Sequence, residues 1–76
     1  MKEVLEILAK SLVDKPDEVS VTAIDGEQST VLELRVADSD MGKVIGKQGR
    51  IAKAIRTVVK AAASRENKRV VVEIVD

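Results

Sequence analysis

The sequence predicts an α+β domain with its elements in the order α-β-β-α-α-β, and three observations carry that prediction. Apolar residues recur at helical spacing in two separate stretches, one at the start of the chain and one from residue 51 to residue 62. Between them lie two short runs with the two-residue period of a strand, separated by a turn. The chain closes on a run of β-branched residues, which fit a pleated surface. Its 76 residues make one domain near the lower size limit for an unaided core, and an apolar fraction of 45% is enough to fold it.

Val4, Leu5, Ile7, Leu8 and Leu12 fall at helical spacing, while Lys2, Glu3, Glu6 and Lys10 fill much of the opposite face. A first helix over about 2–13 follows. Asp14-Lys15-Pro16-Asp17 ends it, because proline cannot continue the hydrogen-bond ladder and biases the preceding residue away from helix. Residues 19–24 alternate Val19, Val21 and Ala23 against Ser20 and Thr22, with Ile24 breaking the pattern. Residues 30–37 alternate Leu32, Leu34 and Val36 against Glu33 and Arg35, and Asp25-Gly26-Glu27-Gln28 turns the chain between the two runs. A hairpin is predicted.

Asp38-Ser39-Asp40 offers capping oxygens to a short helix that begins near Met41 and must end at Gly46. A longer helix runs over about 49–64, with Ile51, Ile55, Val58, Val59 and Ala62 on one face and Arg50, Lys53, Arg56, Thr57 and Lys60 opposite. Residues 65–69 form a charged loop, and 70–75 is the final strand.

The absence of both Cys and His removes disulfides, thiol catalysis, a Ser/His/Asp triad and the usual zinc sites. No acid pair stands in an obviously buried segment, so no catalytic residue, metal ligand or cofactor is expected. No apolar run approaches the roughly 20 residues of a membrane span, and no signal peptide is visible. A soluble cytoplasmic protein with one domain over 1–76 is the expectation.

Formal net charge is zero, yet the charges are segregated. Residues 1–40 hold four Lys/Arg against ten Asp/Glu, residues 41–69 hold nine against one, and residues 70–76 add two acids. A pI near 6.3 therefore hides a basic face, and such asymmetry suggests a polyanionic partner. Within that basic stretch, Gly42-Lys43-Val44-Ile45-Gly46-Lys47-Gln48-Gly49-Arg50 places three glycines and three cations at the start of the long helix. Glycine lets backbone approach a ligand without a Cβ in the way, and a helix start offers free N–H groups and a positive dipole end to an anion. The pattern predicts a phosphate contact. It is not a Walker loop, because Gly42 and Gly46 enclose three residues where four are needed and Gln48 replaces the hydroxyl residue. Glycines at 42, 46 and 49 do not fit the dinucleotide fingerprint either.

Val44-Ile45-Gly46-Lys47-Gln48-Gly49-Arg50-Ile51, set between two helices flanked by strands, resembles the Ile-Gly-x-x-Gly core of a KH domain. The element order resembles the type II, prokaryotic arrangement, and the whole chain is similar to the small stand-alone bacterial KH proteins of the KhpA family. The resemblance implies a three-stranded sheet covered on one face by three helices, with single-stranded RNA in a groove beside the glycine loop. KH loops clamp the backbone of about four nucleotides. On this chain the resemblance implies that Gly46 and Gly49 permit close approach and that Lys47 and Gln48 are the two variable loop positions, and the basic stretch adds Lys43, Arg50 and Lys53 as candidate RNA contacts. The resemblance places Ile45, Ile51 and Val72 under the bases, and Arg65, Lys68 and Arg69 on the variable loop at the far wall. Phe, Tyr and Trp are all absent, so the stacking worth about 1–3 kcal/mol per base elsewhere is missing and weak binding with limited sequence preference is expected. Lys53, Arg56 and Lys60 also fit an ordinary solvated face, and Arg65, Lys68 and Arg69 a loop merely kept in water.

A second expectation concerns protein contact. The apolar residues between Ile51 and Ala63 span roughly 200° of the long helix, wider than the stripe of about 100° that packing on a sheet requires. Either the first helix covers the excess or another molecule does, through Val58, Ala61 and Ala62. The family resemblance implies self-association, pairing with a larger Jag-type KH protein, KhpB, and a chaperone role for cellular RNA in cell elongation and envelope growth. An adaptor whose RNA contact is secondary is the alternative.

Overall fold

The computed structural model describes residues 1–75 and is an α+β fold of three helices and a three-stranded mixed sheet. The helices are α1 (Lys2–Leu12), α2 (Met41–Ile45) and α3 (Arg50–Arg65), and the strands are β1 (Ser20–Asp25), β2 (Thr30–Arg35) and β3 (Val70–Val75). Single 3-10 turns at Pro16–Glu18, Asp38–Asp40 and Lys47–Gly49 join them. β2 is central: it pairs antiparallel with β1 (Val21↔Leu34, Ala23↔Leu32) and parallel with β3 (Leu32↔Val72, Leu34↔Ile74). A parallel pair needs a long crossover, and α2 with α3 supplies it. That crossover carries the glycine loop at the junction of its two helices.

Strand alternation decides the buried face. Leu32 and Leu34 of β2 and Val70 and Val72 of β3 point into the core, where they meet Leu5 and Ala9 of α1, Val44 of α2, and Ile55, Val59 and Ala63 of α3. β2 ends at Arg35 rather than at residue 37, because its partners on both sides end there (Ser20↔Arg35, Arg35↔Val75). Val36 and Ala37 continue buried past the ladder. In β1 only Val21 is buried and Ala23 is exposed, so the inward pattern read for this edge strand is incomplete. On α1 the stripe is narrower than its apolar sequence: Ile7 is 66% exposed.

Two local details hold the site in place. Asp38-Ser39-Asp40 was expected to cap α2, but α2 has no side-chain cap. Asp40 is instead buried, its carboxylate accepting hydrogen bonds from the backbone N–H groups of Asp14 (3.2 Å) and Lys15 (3.0 Å). It ties the end of α1 to the start of α2. At the other end of the crossover, α3 closes in a Schellman motif, with Lys68 N–H donating to Ala63 O (3.0 Å) and Asn67 N–H to Ser64 O (3.2 Å). Asn67 takes the left-handed position that this motif requires (φ 56°).

Candidate nucleic-acid interface

The loop Gly46-Lys47-Gln48-Gly49 is a tight backbone structure, and each glycine serves it differently. Gly46 N–H donates to Gly42 O (2.9 Å), ending α2, and Gly46 adopts φ 76° and ψ 176°. That region is essentially closed to residues with a Cβ. Ile51 sits directly against it: a Cβ on Gly46 would lie 2.5 Å from Ile51 Cγ1. Gly49, at φ 73° and ψ 15°, caps the start of α3, and a Cβ there would meet nothing within 4 Å. Gly46 is a packing requirement, whereas Gly49 leaves an open approach to the backbone. Gln48, between them, is held left-handed at φ 57°.

No side chain caps α3. The N–H groups of Gly49 and Arg50 are already engaged, by Gly46 O (3.2 Å) and Lys47 O. The expectation of free N–H groups at the helix start does not extend to these two. Lys47 and Gln48 project into solvent, and Arg50 Nη2 reaches Gln48 Oε1 (3.4 Å). Ile45 is 37% exposed beside the loop, Ile51 is half-buried under Gly46, and Val72 is buried at the α3–β3 seam.

The cations divide into two groups. Lys43 pairs with Asp14 Oδ2 and reaches Asp40 Oδ1 (3.4 Å), so its charge is committed to the α1–α2 junction. The hydrogen bond that Lys43 donates to Asp14 holds its ammonium above the usual pKa, and the Asp14 charge and the hydrogen bond and charge of Asp40 add to this against some desolvation. Asp40 lies below the usual carboxylate range: burial pushes it up, but the Asp14 and Lys15 N–H groups and Lys43 together outweigh that. Arg56 Nε donates to Val72 O (3.2 Å) on the edge strand β3. By contrast Lys47, Lys53, Lys60, Arg65, Lys68 and Arg69 have no carboxylate partner among the described residues. All six are exposed.

Arg56, Lys60 and Val70 to Val72 line a hollow of about 160 Å³ between α3 and the free edge of β3. Because Arg56 meets Val72 and Lys60 meets Val70, β3 runs back along α3 toward the loop. Arg65 ends α3, while Lys68 and Arg69 follow its capping turn, and Arg69 O accepts from Thr30 N–H (2.9 Å). On the outer surface of α3, Val58 is 47% exposed, Ala61 is exposed and Ala62 half-buried. α1 therefore leaves part of that apolar surface open. Sequence reasoning missed Asp14 as a partner of Lys43, since that contact joins residues 29 apart in the chain, and missed Asp40 although it stands only three residues before Lys43.

Two helices joined by a Gly-x-x-Gly turn and laid on a three-stranded mixed sheet define a KH domain. A family model described as the KH domain of KhpA/KhpB matches residues 2–74. The chain is also similar to RNA-binding protein KhpA of Clostridium acetobutylicum, 75% identical over 75 residues (99% of this chain, all of that protein). KhpA of Clostridium perfringens is 72% identical over the same shares, and that of Aquifex aeolicus 53% identical over all of this chain and 96% of its own length. The chain belongs to the KhpA/KhpB KH-domain family, which is non-catalytic. Among solved structures it is similar to part of Era from Aquifex aeolicus bound to GDP.AlF4⁻ (TM-score 0.59, 20% identity). Era in complex with MgGDPNP and nucleotides 1506–1542 of 16S ribosomal RNA matches equally well (TM-score 0.60, 20% identity). Both likenesses cover 96% of this chain but only 28% of the Era chain, and they show the fold alone.

Proposed function

We propose that this chain, acting as a single KH domain over 1–76, binds single-stranded RNA and clamps about four nucleotides at the Gly46–Gly49 loop. The observation that carries the reading is the open face of Gly49 beside the unpaired cation Lys47, with Lys53 on the helix that follows. Phosphates lie along the loop and the first turn of α3, held by Lys47, Gln48, Arg50 and Lys53. Bases rest on Ile45 and the exposed part of Ile51, whereas Val72, expected under the bases, is buried with its side chain in the core. Arg65, Lys68 and Arg69 close the far wall of the groove. Lys43 contributes only by giving up its carboxylate partners, so its share is small. The names of the relatives support RNA as the partner class.

Exposure of Val58 and Ala61 supports a second contact on the back of α3, made with another copy or with a larger Jag-type KH protein, KhpB. An RNA-chaperone role in the cytoplasm, acting on cell elongation and envelope growth, belongs to the same proposal by family resemblance.

The test is a binding titration of length-matched single-stranded and duplex RNA across a salt series. Single strands should bind more tightly, and neutralising three to four phosphates gives a log–log salt slope of about −2 to −3. Gly49→Asp, which puts a carboxylate on the open face without a clash, should weaken binding at least tenfold while the circular dichroism stays native. Tighter binding to duplex, or wild-type affinity in Gly49→Asp, refutes the proposal.

A further inference from the structure

The two edges of the sheet are not alike. On β3 the edge is occupied in part, since Arg56 donates to the Val72 carbonyl. The β1 edge is open. Gly26 N–H donates to Ser29 O across the turn, and Thr30 N–H points the other way, to Arg69 O. Antiparallel alternation then has Ser20, Thr22 and Ile24 bond β2, and it directs the N–H and C=O groups of Val21, Ala23 and Asp25 outward. No hydrogen bond among the described residues reaches those outward groups. Residues 22–25 are all exposed, which leaves the row accessible to another chain.

β1 also lacks the devices that keep an edge strand single. It carries no Pro and no Lys, and its register against β2 is unbroken from Ser20 to Asp25. Side chains of an added strand would meet a different surface on each face. On the outer face Ile24, Val31 and Val71 stand in one row across the three strands, with Ile24 49% and Val71 43% exposed. On the helix face a hollow of about 150 Å³ runs from Ala23 and Asp25 to Leu32 and Val70, with Met1 in its wall. Residues 16–29 hold Asp17, Glu18, Asp25 and Glu27 and no Lys or Arg, so both ends of β1 are acidic. None of the four has a salt-bridge partner among the described residues. The two acid pairs are separated by the length of the strand, about 20 Å for its six residues at about 3.4 Å each.

We propose that the β1 edge binds an extended segment of another protein by strand addition, a segment with aliphatic residues at alternate positions and Lys or Arg at both ends. The outward backbone groups of Val21, Ala23 and Asp25 hold it, its aliphatic side chains extend the Ile24 row, the smaller residues between them face the hollow beside Ala23, and its cations meet the acid pairs. A second copy of β1 does not fit. Antiparallel pairing would set Asp17 and Glu18 against Asp25 and Glu27, and parallel pairing would set each acid pair beside its like. The same acids repel RNA. Because β2 separates β1 from β3, the segment lies at the opposite edge of the sheet from the nucleic-acid groove, and both ligands can be held together.

The probes are two blocked synthetic peptides, Lys-Lys-Val-Thr-Val-Thr-Val-Lys-Lys and the same sequence with Glu for every Lys, titrated into the isotope-labelled full chain at low salt and followed by amide NMR. With the lysine peptide the amide signals of Val21, Ala23 and Asp25 should shift and their hydrogen exchange should slow, and the glutamate peptide should bind at least tenfold more weakly. Ala23→Pro removes one outward N–H, which an edge strand tolerates, and should weaken the lysine peptide about fivefold, the effect of one net hydrogen bond. Glu18→Lys combined with Glu27→Lys, at exposed positions, should weaken it about tenfold with native circular dichroism. No binding of the lysine peptide at several millimolar overturns the proposal. So do shifts confined to α3, equal affinity for the two peptides, or parent affinity in the charge-reversed variant, which decides the question alone if Ala23→Pro unfolds.

Discussion

The two glycines of the loop should respond unequally to the smallest possible change, a methyl group. At Gly46 the backbone (φ 76°, ψ 176°) lies where other residues are strained, at a cost of about 1–3 kcal/mol. The new Cβ would also stand 2.5 Å from Ile51 Cγ1 and 2.9 Å from its Cβ and Cδ1. Ile51 packs against the core and has little room to yield, so overpacking adds about 1–3 kcal/mol. Less the roughly 0.4–1 kcal/mol that the stiffer unfolded chain returns, Gly46→Ala should then cost about 1–5 kcal/mol, against a total of about 4–11 kcal/mol for a 76-residue domain at about 0.05–0.15 kcal/mol per residue. At Gly49 the Cβ meets nothing. Its left-handed backbone costs about 1–2 kcal/mol in alanine, and the stiffer unfolded chain returns about 0.4–1 kcal/mol. Gly49→Ala should therefore cost about 1 kcal/mol. Urea unfolding followed at 222 nm measures both, provided the slopes match the parent. Equal losses for the two alanines, or a larger loss at Gly49, would refute the assignment of Gly46 to packing and Gly49 to approach.

Two further outcomes follow from the junction and the outer helix face. Asp40 has a folded pKa below its ordinary 3.8, so its contribution is complete above that value and is lost as pH falls through the lower folded one; Lys43, raised above 10.5, contributes fully below that value and loses it at higher pH. The thermal midpoint should be flat between those limits, and Asp40→Asn should be less stable at neutral pH with a shallower acid limb; an unchanged midpoint at pH 7 would show that the junction adds nothing. Ala61→Arg, at an exposed position, should keep the fold yet stay monomeric in light scattering at concentrations where the parent dimerises, and a parent monomeric at several hundred micromolar would rule out self-association.

Most of the fold was legible because its signals are local. Helical spacing in α1 and α3, alternation in β2 and the β-branched run of β3 each reflect one face turned to one core, and Gly46 ended α2 as its lack of a Cβ predicts. Less legible were features set by where separate segments meet. Asp38-Ser39-Asp40 reads as a cap by composition, yet Asp40 turns inward because the Asp14 and Lys15 N–H groups need an acceptor where α1 ends against α2. Ile7 matches the apolar period of α1 but falls outside the arc that the sheet and α3 cover. At the candidate site the glycine loop stood out by spacing, whereas the placement of Gln28 could not, since only the sheet brings the β1–β2 turn beside the end of α3.

Regional charge counted along the chain overstates what a polyanion would meet. Nine cations fall in residues 41–69, but Lys43 is held by Asp14 and Asp40, and Arg56 is turned to the Val72 carbonyl. The Arg56 bond also occupies the free edge of β3, the part of a sheet most prone to pair with another strand. The other seven have no carboxylate partner among the described residues, with Lys47, Arg50 and Lys53 near the loop and Lys60, Arg65, Lys68 and Arg69 toward the cap. The nearest members of the two groups, Lys53 and Lys60, are about 10 Å apart along the helix at 1.5 Å per residue, about one Debye length at 0.1 M salt. The two groups are therefore only partly screened from each other. A strand that reaches only the loop feels one of them, and a strand that spans the groove feels both, so the salt dependence of binding should steepen with RNA length in a protein whose formal net charge is zero.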